Sequence, residues 1–226
     1  METAVAVGPT RSVARWTALA GAVYVVLFVV GTIVLFNGSP AGDAPPAKVI
    51  QWYSDSGNRD QANIGWLLIG LGLFFLLWFI ATLRRAVMSV DGEGILTAVV
   101  AIGGSVYAAV AFASVALNSG IRTMSDDTYQ HRVYPELIHA ASDAGYVIHS
   151  GGGVGIGAAM IAVSIAVLRA RSLPAWVAWL GVVAGIASIF SIFFFPWIVI
   201  AVWLVVAGVL LFVSTGRRAS ASVLSR

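Results

Sequence analysis

The sequence predicts an all-α bundle of six transmembrane helices, and three observations lead to that prediction. The chain is 59% hydrophobic and only 10% charged, whereas soluble domains carry about 25% charged residues. Its apolar residues fall into long runs, and about 20 helical residues suffice to cross a bilayer core of about 30 Å. Its basic residues lie at the ends of these runs and form no continuous stripe, so nucleic acid is not an expected partner.

The six predicted spans form a single integral membrane domain over residues 1–226. Charged or turn-forming residues separate the spans, which are 14–37, 63–83, 95–118, 147–168 with an outer extension from 135, 174–194 and 197–215. The last two spans are nearly continuous, but one helix across both would be about 60 Å long, which is twice the bilayer core. Pro196 supplies the break, because proline lacks a backbone N–H and clashes with the preceding turn.

Basic residues are divided unequally between the two sides of the predicted bundle. Nine lie on one side and four on the other, namely Arg11, Arg15, Arg84, Arg85, Arg169, Arg171, Arg217, Arg218 and Arg226 against Lys48, Arg59, Arg122 and Arg132. Because basic residues concentrate in cytoplasmic loops, both termini are predicted to be cytoplasmic. The first run exceeds the roughly 7–15 apolar residues of a cleavable signal peptide, so we expect it to remain as an anchor.

The two longer loops on the opposite side are expected to contain helical structure. In the first loop Val49, Ile50 and Tyr53 stand at helical spacing, and Gly57 is expected to stop that helix. Such an amphipathic segment is expected to lie on the outer membrane surface. In the second loop Pro135 is expected to begin a helix, because proline is favoured at the first helical position.

An internal repeat relates the spans to one another. The stretch "GAVYVVLF" at 21–28 recurs as "GSVYAAVA" at 104–111, and "LRRA" at 83–86 recurs as "LRAR" at 168–171. The chain is therefore predicted to contain three successive two-helix hairpins. Each hairpin begins and ends on the same side, so the repeats are parallel and differ from the inverted repeats of many secondary transporters.

The chain also resembles a known family in three places. Arg59 lies before the second span, "LWFIATLRR" ends that span, and "LRARSLPAWVAWLGVVAGI" leads into the fifth. These residues resemble a domain-of-unknown-function family of small six-helix integral membrane proteins that is common in actinobacteria. The resemblance implies a six-helix architecture and a location in the bacterial plasma membrane. It implies no activity and no catalytic residues.

Charged side chains are scarce inside the predicted spans, and only the fourth span offers any ionisable acid or histidine, since the other five have none in their central portions. A charge at the bilayer centre costs at least about 2.5–3.5 kcal/mol, so a retained one usually marks a pathway or relay. Their scarcity argues against an ion-coupled transporter that is built on an embedded carboxylate. The chain has no cysteine, which excludes disulfides, iron–sulfur clusters and thiolate-ligated zinc.

Two tyrosines and a run of glycines are candidates for a ligand pocket. Tyr24 and Tyr107 occupy matching repeat positions inside the membrane, where each hydroxyl is expected to find an acceptor in a neighbouring helix. The glycines of the fourth span form two staggered small-xxx-small pairs, Gly151 with Gly155 and Gly153 with Gly157. Such pairs let another helix pack closely, and a lipid tail or flat ring against the glycine face is the alternative. Trp197 and other tryptophans lie near span ends, as in an aromatic belt.

The outer extension of the fourth span offers a candidate metal site. Glu136, His139 and Asp143 stand at i, i+3 and i+7, which places them on one helix face. His149 would join them only if the helix kinks at the glycines that follow. The preceding loop offers further ligands for zinc, manganese or iron, namely Asp126, Asp127 and His131. The competing interpretations are a functional polar pocket without a metal and a solvated helix end with no ligand.

These observations lead to three hypotheses about function. The first is a non-enzymatic membrane protein that binds a lipid or another hydrophobic small molecule, or that is an accessory subunit of a membrane complex. The second is a metal-dependent membrane enzyme or metal carrier with a periplasmic-side Glu/His/Asp site. The third is a small channel or transporter. The expected partners are the lipid bilayer and a lipid-like ligand or membrane protein, and no cofactor follows from the residues.

Overall fold

The computed structural model describes residues 16–122 and 132–224, and every regular element within these ranges is an α-helix. The helices are α1 Ala20–Phe36, α2 Pro46–Ser54, α3 Ser56–Asp91, α4 Ile95–Arg122, α5 Pro135–Gly151, α6 Gly153–Ala170, α7 Ala175–Ser188 and α8 Pro196–Leu224. The predicted all-helical class is confirmed for the described part of the chain.

Four helical segments are long and apolar enough to cross a membrane. They are Ser56–Asp91, Ile95–Ile121, Pro135–Ala170, which joins α5 to α6, and Pro196–Ser214. The apolar helices α1 and α7 are shorter and correspond to the first and fifth predicted spans. By length and composition the chain is therefore a membrane protein.

Six of the helices form a closed ring. Neighbours pack in the order α1, α3, α4, α6, α7 and α8, and α8 packs against α1 to complete the ring. Helix α3 also contacts α6 across the interior, where Leu73, Leu76 and Phe79 are fully buried. Helix α5 continues α6 beyond the ring, packs on α4 and contacts the short helix α2.

One end of the bundle holds Arg84, Arg85, Arg169 and Arg171, and we call it the arginine end. Its turns are short because Gly92 ends α3 with a φ of 60° and Arg171 ends α6 with a φ of 50°. We call the opposite end the cap end, because α2 packs there on α3 and α5.

Local capping explains where α2 and α3 begin and end. Pro46 occupies the first turn of α2, and the Asp55 carboxylate accepts a hydrogen bond from the Asn58 N–H at 3.0 Å to cap α3. The Arg59 guanidinium donates to the carbonyls that end α2. The prediction that Gly57 stops the first helix is wrong, because Asp55 makes the break and Gly57 lies in the first turn of α3.

The amphipathic pattern of α2 matches the side chains that it buries. Val49 and Tyr53 are buried against Ile138 of α5, whereas Ile50 is exposed. Helix α5 begins at Pro135, as predicted. The two outer loops are thus joined through an apolar contact between α2 and α5.

The connection between α7 and α8 differs from its prediction. The fifth span was predicted to reach residue 194, but α7 ends at Ser188, and a series of turns leads to Pro196, which begins α8. Side chains satisfy the carbonyls of these turns. The Tyr146 hydroxyl donates to Ile192 O at 2.6 Å, and Trp197 Nε1 donates to Ser191 O at 3.2 Å. Non-helical backbone at membrane depth requires such partners, because lipid provides none.

Candidate functional site

The two predicted tyrosines meet inside the bundle. The hydroxyl oxygens of Tyr24 on α1 and Tyr107 on α4 lie 2.7 Å apart, and both side chains are buried. The residues are 83 positions apart in the chain, which is the offset of the predicted repeat. The expectation that each hydroxyl finds a partner in another helix is confirmed, and the partner is the matching tyrosine.

A histidine extends this pair. Nε2 of His149, near the end of α5, lies 3.4 Å from the Tyr107 hydroxyl, which is at the long end of the hydrogen-bond range. Phe28 of α1 stacks on the imidazole with ring centroids 5.8 Å apart, and Trp197 of α8 lies 4.6 Å away. We call Tyr24, Phe28, Tyr107, His149 and Trp197 the aromatic cluster. Four helices contribute to it.

The hydrogen bonds of the cluster have a preferred direction. A neutral imidazole has one donor nitrogen and one acceptor nitrogen, and each hydroxyl has one proton to donate. If Nε2 accepts from Tyr107, then Tyr107 accepts from Tyr24 and both buried hydroxyl protons are used. If Nε2 donates instead, one of the two hydroxyl protons has no acceptor among the described residues. A buried unpaired donor costs about 1–3 kcal/mol, so the first arrangement is favoured.

This arrangement places the imidazole proton on Nδ1 of His149. Within the described chain, Nδ1 has no hydrogen-bond partner. Nδ1 is not one of the fully buried atoms without a partner in that part of the chain. The His149 side chain is only partly buried. The cluster therefore presents a single N–H donor at an open edge.

The cluster lies in the half of the apolar bundle that is farther from the arginine end. Counted along α4 from Ile95 near the arginine end, Tyr107 is about 18 Å away, and counted along α5 and α6, His149 is about 30 Å from Arg169. An apolar layer of about 30 Å that begins at the arginine end reaches the level of the cluster. An ionisable side chain at such a depth is a candidate for function by default.

Three of the four predicted glycines pack against helices. A Cβ added to Gly155 would lie 2.6 Å from Gly103 O, and one added to Gly157 would lie 2.5 Å from Gly185 O. A Cβ at Gly153 would meet Ser188 and Ser191. The close-packing interpretation is confirmed for Gly153, Gly155 and Gly157, and these contacts leave no room for a ligand there.

The fourth glycine differs from the other three. A Cβ added to Gly151 would meet nothing within 4 Å, and the residue is exposed. Gly152 follows it between α5 and α6, and its N–H is shared between Ile148 O and His149 O. The imidazole of His149 contacts rings of α1, α4 and α8, so this local irregularity does not bring it to the predicted metal ligands.

The residues of the predicted metal site are not gathered. Glu136 and Asp143 are exposed on α5, His139 is partly buried there, and His149 belongs to the aromatic cluster. In the described ranges, no three His, Asp or Glu side chains are grouped closely enough to hold a metal ion. Three further candidate ligands lie outside the described residues, namely Asp126, Asp127 and His131. The metal site stays a prediction.

Two members of the cluster were not identified from the sequence. Phe28 is one of many apolar residues of α1, and Trp197 was assigned to an aromatic belt because of its position near a span end. Trp197 is instead partly buried, with its ring 6.0 Å from that of Tyr107. The repeat gave a usable signal for the tyrosines, but no comparable signal existed for these two rings.

Comparison of the chain with models of protein families, with curated proteins and with solved structures finds no match. The resemblance to small six-helix bacterial membrane proteins stays a prediction.

Proposed function

We propose that the protein binds a neutral, lipid-like small molecule at the open edge of His149. The observation that carries the proposal is that Nδ1 of His149 lies among aromatic rings without a partner in the described chain. The tautomer favoured by the two tyrosines places a proton on this nitrogen. An unpaired polar group is costly in an apolar environment. A ligand that supplies an acceptor removes that cost when it binds.

The proposed setting is a bacterial plasma membrane that the chain crosses six times with both termini in the cytoplasm. Four long apolar helices and two shorter ones form one ring, and a shorter helix can span where the bilayer thins locally. The excess of basic residues on the side of the arginine end supports the orientation. The resemblance to six-helix bacterial membrane proteins supports the location.

The chemistry of the cluster narrows the ligand. An N–H donor requires an acceptor, so the ligand should carry a carbonyl, ether or hydroxyl oxygen. None of the five cluster residues is ion-paired or hydrogen-bonded to a charged side chain within the described chain, which favours a neutral head group. Phe28 and Trp197 beside the imidazole favour an apolar or flat body, because aromatic walls are typical of pockets for such molecules.

The test is native mass spectrometry of protein extracted in a mild detergent. We expect the wild type to carry a neutral organic adduct. His149→Phe keeps an aromatic ring in the cluster but removes the donor, and it should lower adduct occupancy at least about tenfold, as expected for the loss of one buried hydrogen bond.

His139→Phe is the matched control, because it makes the same change on the same helix outside the cluster. This variant should retain the adduct of the wild type. A wild-type monomer without any adduct would contradict the proposal, and so would a His149→Phe variant with undiminished occupancy.

A further inference from the structure

An open groove lies at the cap end, between the loop that follows α1 and one face of α2. Its volume is about 820 Å³, which is within the range of about 300–1,000 Å³ for ligand pockets. One wall is formed by loop residues between Gly38 and Pro45. The other wall is polar and follows one helix face into the start of α3, with Lys48, Gln51, Trp52, Asp55 and Asn58.

Local structure holds both walls in place. The loop turns at Gly38, whose φ of 73° suits glycine, and Ala44 is buried in the apolar contact between α2 and α5. On the other wall, the Asp55 carboxylate accepts from the Asn58 N–H at 3.0 Å, and the Asn58 amide donates to Trp52 O at 3.0 Å. The groove is therefore formed without a ligand.

Two opposite charges line this groove without meeting each other. Asp43 and Lys48 are both exposed lining residues. Neither side chain has an ion pair or a hydrogen bond within the part of the chain that the structure describes. A ligand that carries a positive and a negative group can pair with both residues at once, whereas a ligand with one charge leaves one of them unpaired.

The groove lies at the level of the lipid head groups. Helix α1 contains no charged residue, and its 17 residues span about 25 Å, which is most of a hydrocarbon core of about 30 Å. It ends at Phe36, just before the groove begins at Gly38. Exposed apolar side chains form a row along α1 that leads to the groove, namely Val23, Val26, Val29, Val30, Ile33 and Phe36. An acyl chain can lie along this row while its head group occupies the groove.

We propose that the groove binds the zwitterionic head group of one aminophospholipid, with its ammonium on Asp43 and its phosphate on Lys48. Each ion pair combines an N–H donor with an anionic oxygen acceptor. A purely anionic head group would leave Asp43 unpaired, and a soluble zwitterion would make no use of the row on α1. The site is separate from the aromatic cluster, whose proposed ligand carries no charged group.

Competition between two phospholipids tests the site. Protein exchanged into equimolar phosphatidylethanolamine and phosphatidylglycerol is analysed by native mass spectrometry, and the wild type should retain one phosphatidylethanolamine in preference. Asp43→Asn removes the partner of the ammonium, which phosphatidylglycerol lacks. It should lower the preference about threefold, as expected for one exposed ion pair.

A second variant tests the phosphate. Both lipids carry a phosphate, so Lys48→Gln should lower the retention of both alike, about threefold, and leave the preference between them unchanged. Asp43 and Lys48 are exposed, so neither substitution should change the thermal midpoint of unfolding.

Asp60→Asn is the matched control, because Asp60 is an exposed acid near the start of α3 that does not line the groove. It should leave the preference intact, and so should His149→Phe, which separates this site from the aromatic cluster. Soluble phosphoethanolamine should fail to displace the lipid, since it gains nothing from the row on α1.

Four results would overturn the proposal. They are a wild type without preference for phosphatidylethanolamine, an unchanged preference in Asp43→Asn, an equal loss in Asp60→Asn, and displacement of the lipid by phosphoethanolamine. The last result would assign the groove to a soluble zwitterion instead of a lipid.

Discussion

The aromatic cluster and the arginine end place their polar groups in opposite ways. In the cluster, two hydroxyls and an imidazole are linked inside the bundle, among rings from four helices. At the arginine end, the interior between α3, α6, α7 and α8 is mainly apolar, and the ion pairs Arg84–Glu93 and Arg169–Asp91 lie at the helix ends. One ring of helices therefore keeps uncharged polar groups inside and its charged groups at an end.

Close helix packing is common to both regions, and its loss should have the largest effect. A Cβ at Gly155 would lie 2.6 Å from Gly103 O and 3.3 Å from Tyr107 N, so Gly155→Leu should force α4 away from α6. Overpacking of this kind costs about 3 kcal/mol. We expect a much lower thermal midpoint by fluorescence-detected size exclusion and the loss of the neutral adduct.

Gly151→Leu is the control for this prediction. The added side chain meets no atom near its Cβ, and leucine has a higher helix propensity than glycine. The thermal midpoint should be unchanged or slightly higher. Equal destabilisation by the two substitutions would show that the contact between α4 and α6 is not what makes Gly155 necessary.

The hydrogen-bonded pair should have an intermediate effect that is confined to the cluster. Tyr107→Phe removes the link between Tyr24 and His149, and it should cost about 1 kcal/mol of unfolding free energy. It should also lower the occupancy of the neutral adduct, because the proton on Nδ1 is no longer favoured.

A double-mutant cycle with Tyr24→Phe isolates the bond between the hydroxyls. We expect a coupling of about 0.6 kcal/mol between the two substitutions, the average for such bonds in membranes. Tyr24→Phe alone should leave the adduct in place, because Tyr107 can still donate to His149. Strictly additive losses of stability would contradict the proposed hydrogen-bond chain.

The smallest effect is expected beside the cluster, at the turns between α7 and α8. Tyr146→Phe removes one donor to Ile192 O and should cost about 0.6 kcal/mol, measured by unfolding in a mixed detergent. Tyr134→Phe is a control, because Tyr134 is exposed and precedes α5. A loss as large as that of Tyr107→Phe would mean that these turns support the cluster.

Much of the fold could be predicted because it depends on local chemistry. Run length and charge placement are enough to identify apolar helices, and the positions of Pro135 and Pro196 give two helix starts, since both residues begin helices. The pairing of Tyr24 with Tyr107 was accessible because the repeat placed both at one depth. The tight contacts of Gly155 and Gly157 followed from the spacing of small residues.

What could not be predicted depends on which face of each helix points inward. In a uniformly apolar helix no periodic pattern separates the lipid side from the interior, so Phe28 and Trp197 could not be assigned to the cluster. For the same reason His149 was grouped with Glu136, although it lies among rings while Glu136 is exposed. The end of α7 at Ser188 could not be predicted either, because it lies within a continuous apolar run.

The tyrosine pair has one further consequence. A hydrogen bond between two equivalent hydroxyls cannot be symmetric, since one oxygen must donate and the other must accept. The second helices of the two hairpins repeat at an offset of 85 residues, and residue 64, which precedes His149 by 85 positions, is Ile64. An isoleucine side chain neither donates nor accepts a hydrogen bond, so only the second of these matching positions can take a proton from a tyrosine. A single difference between two similar hairpins thus gives the shared bond its direction.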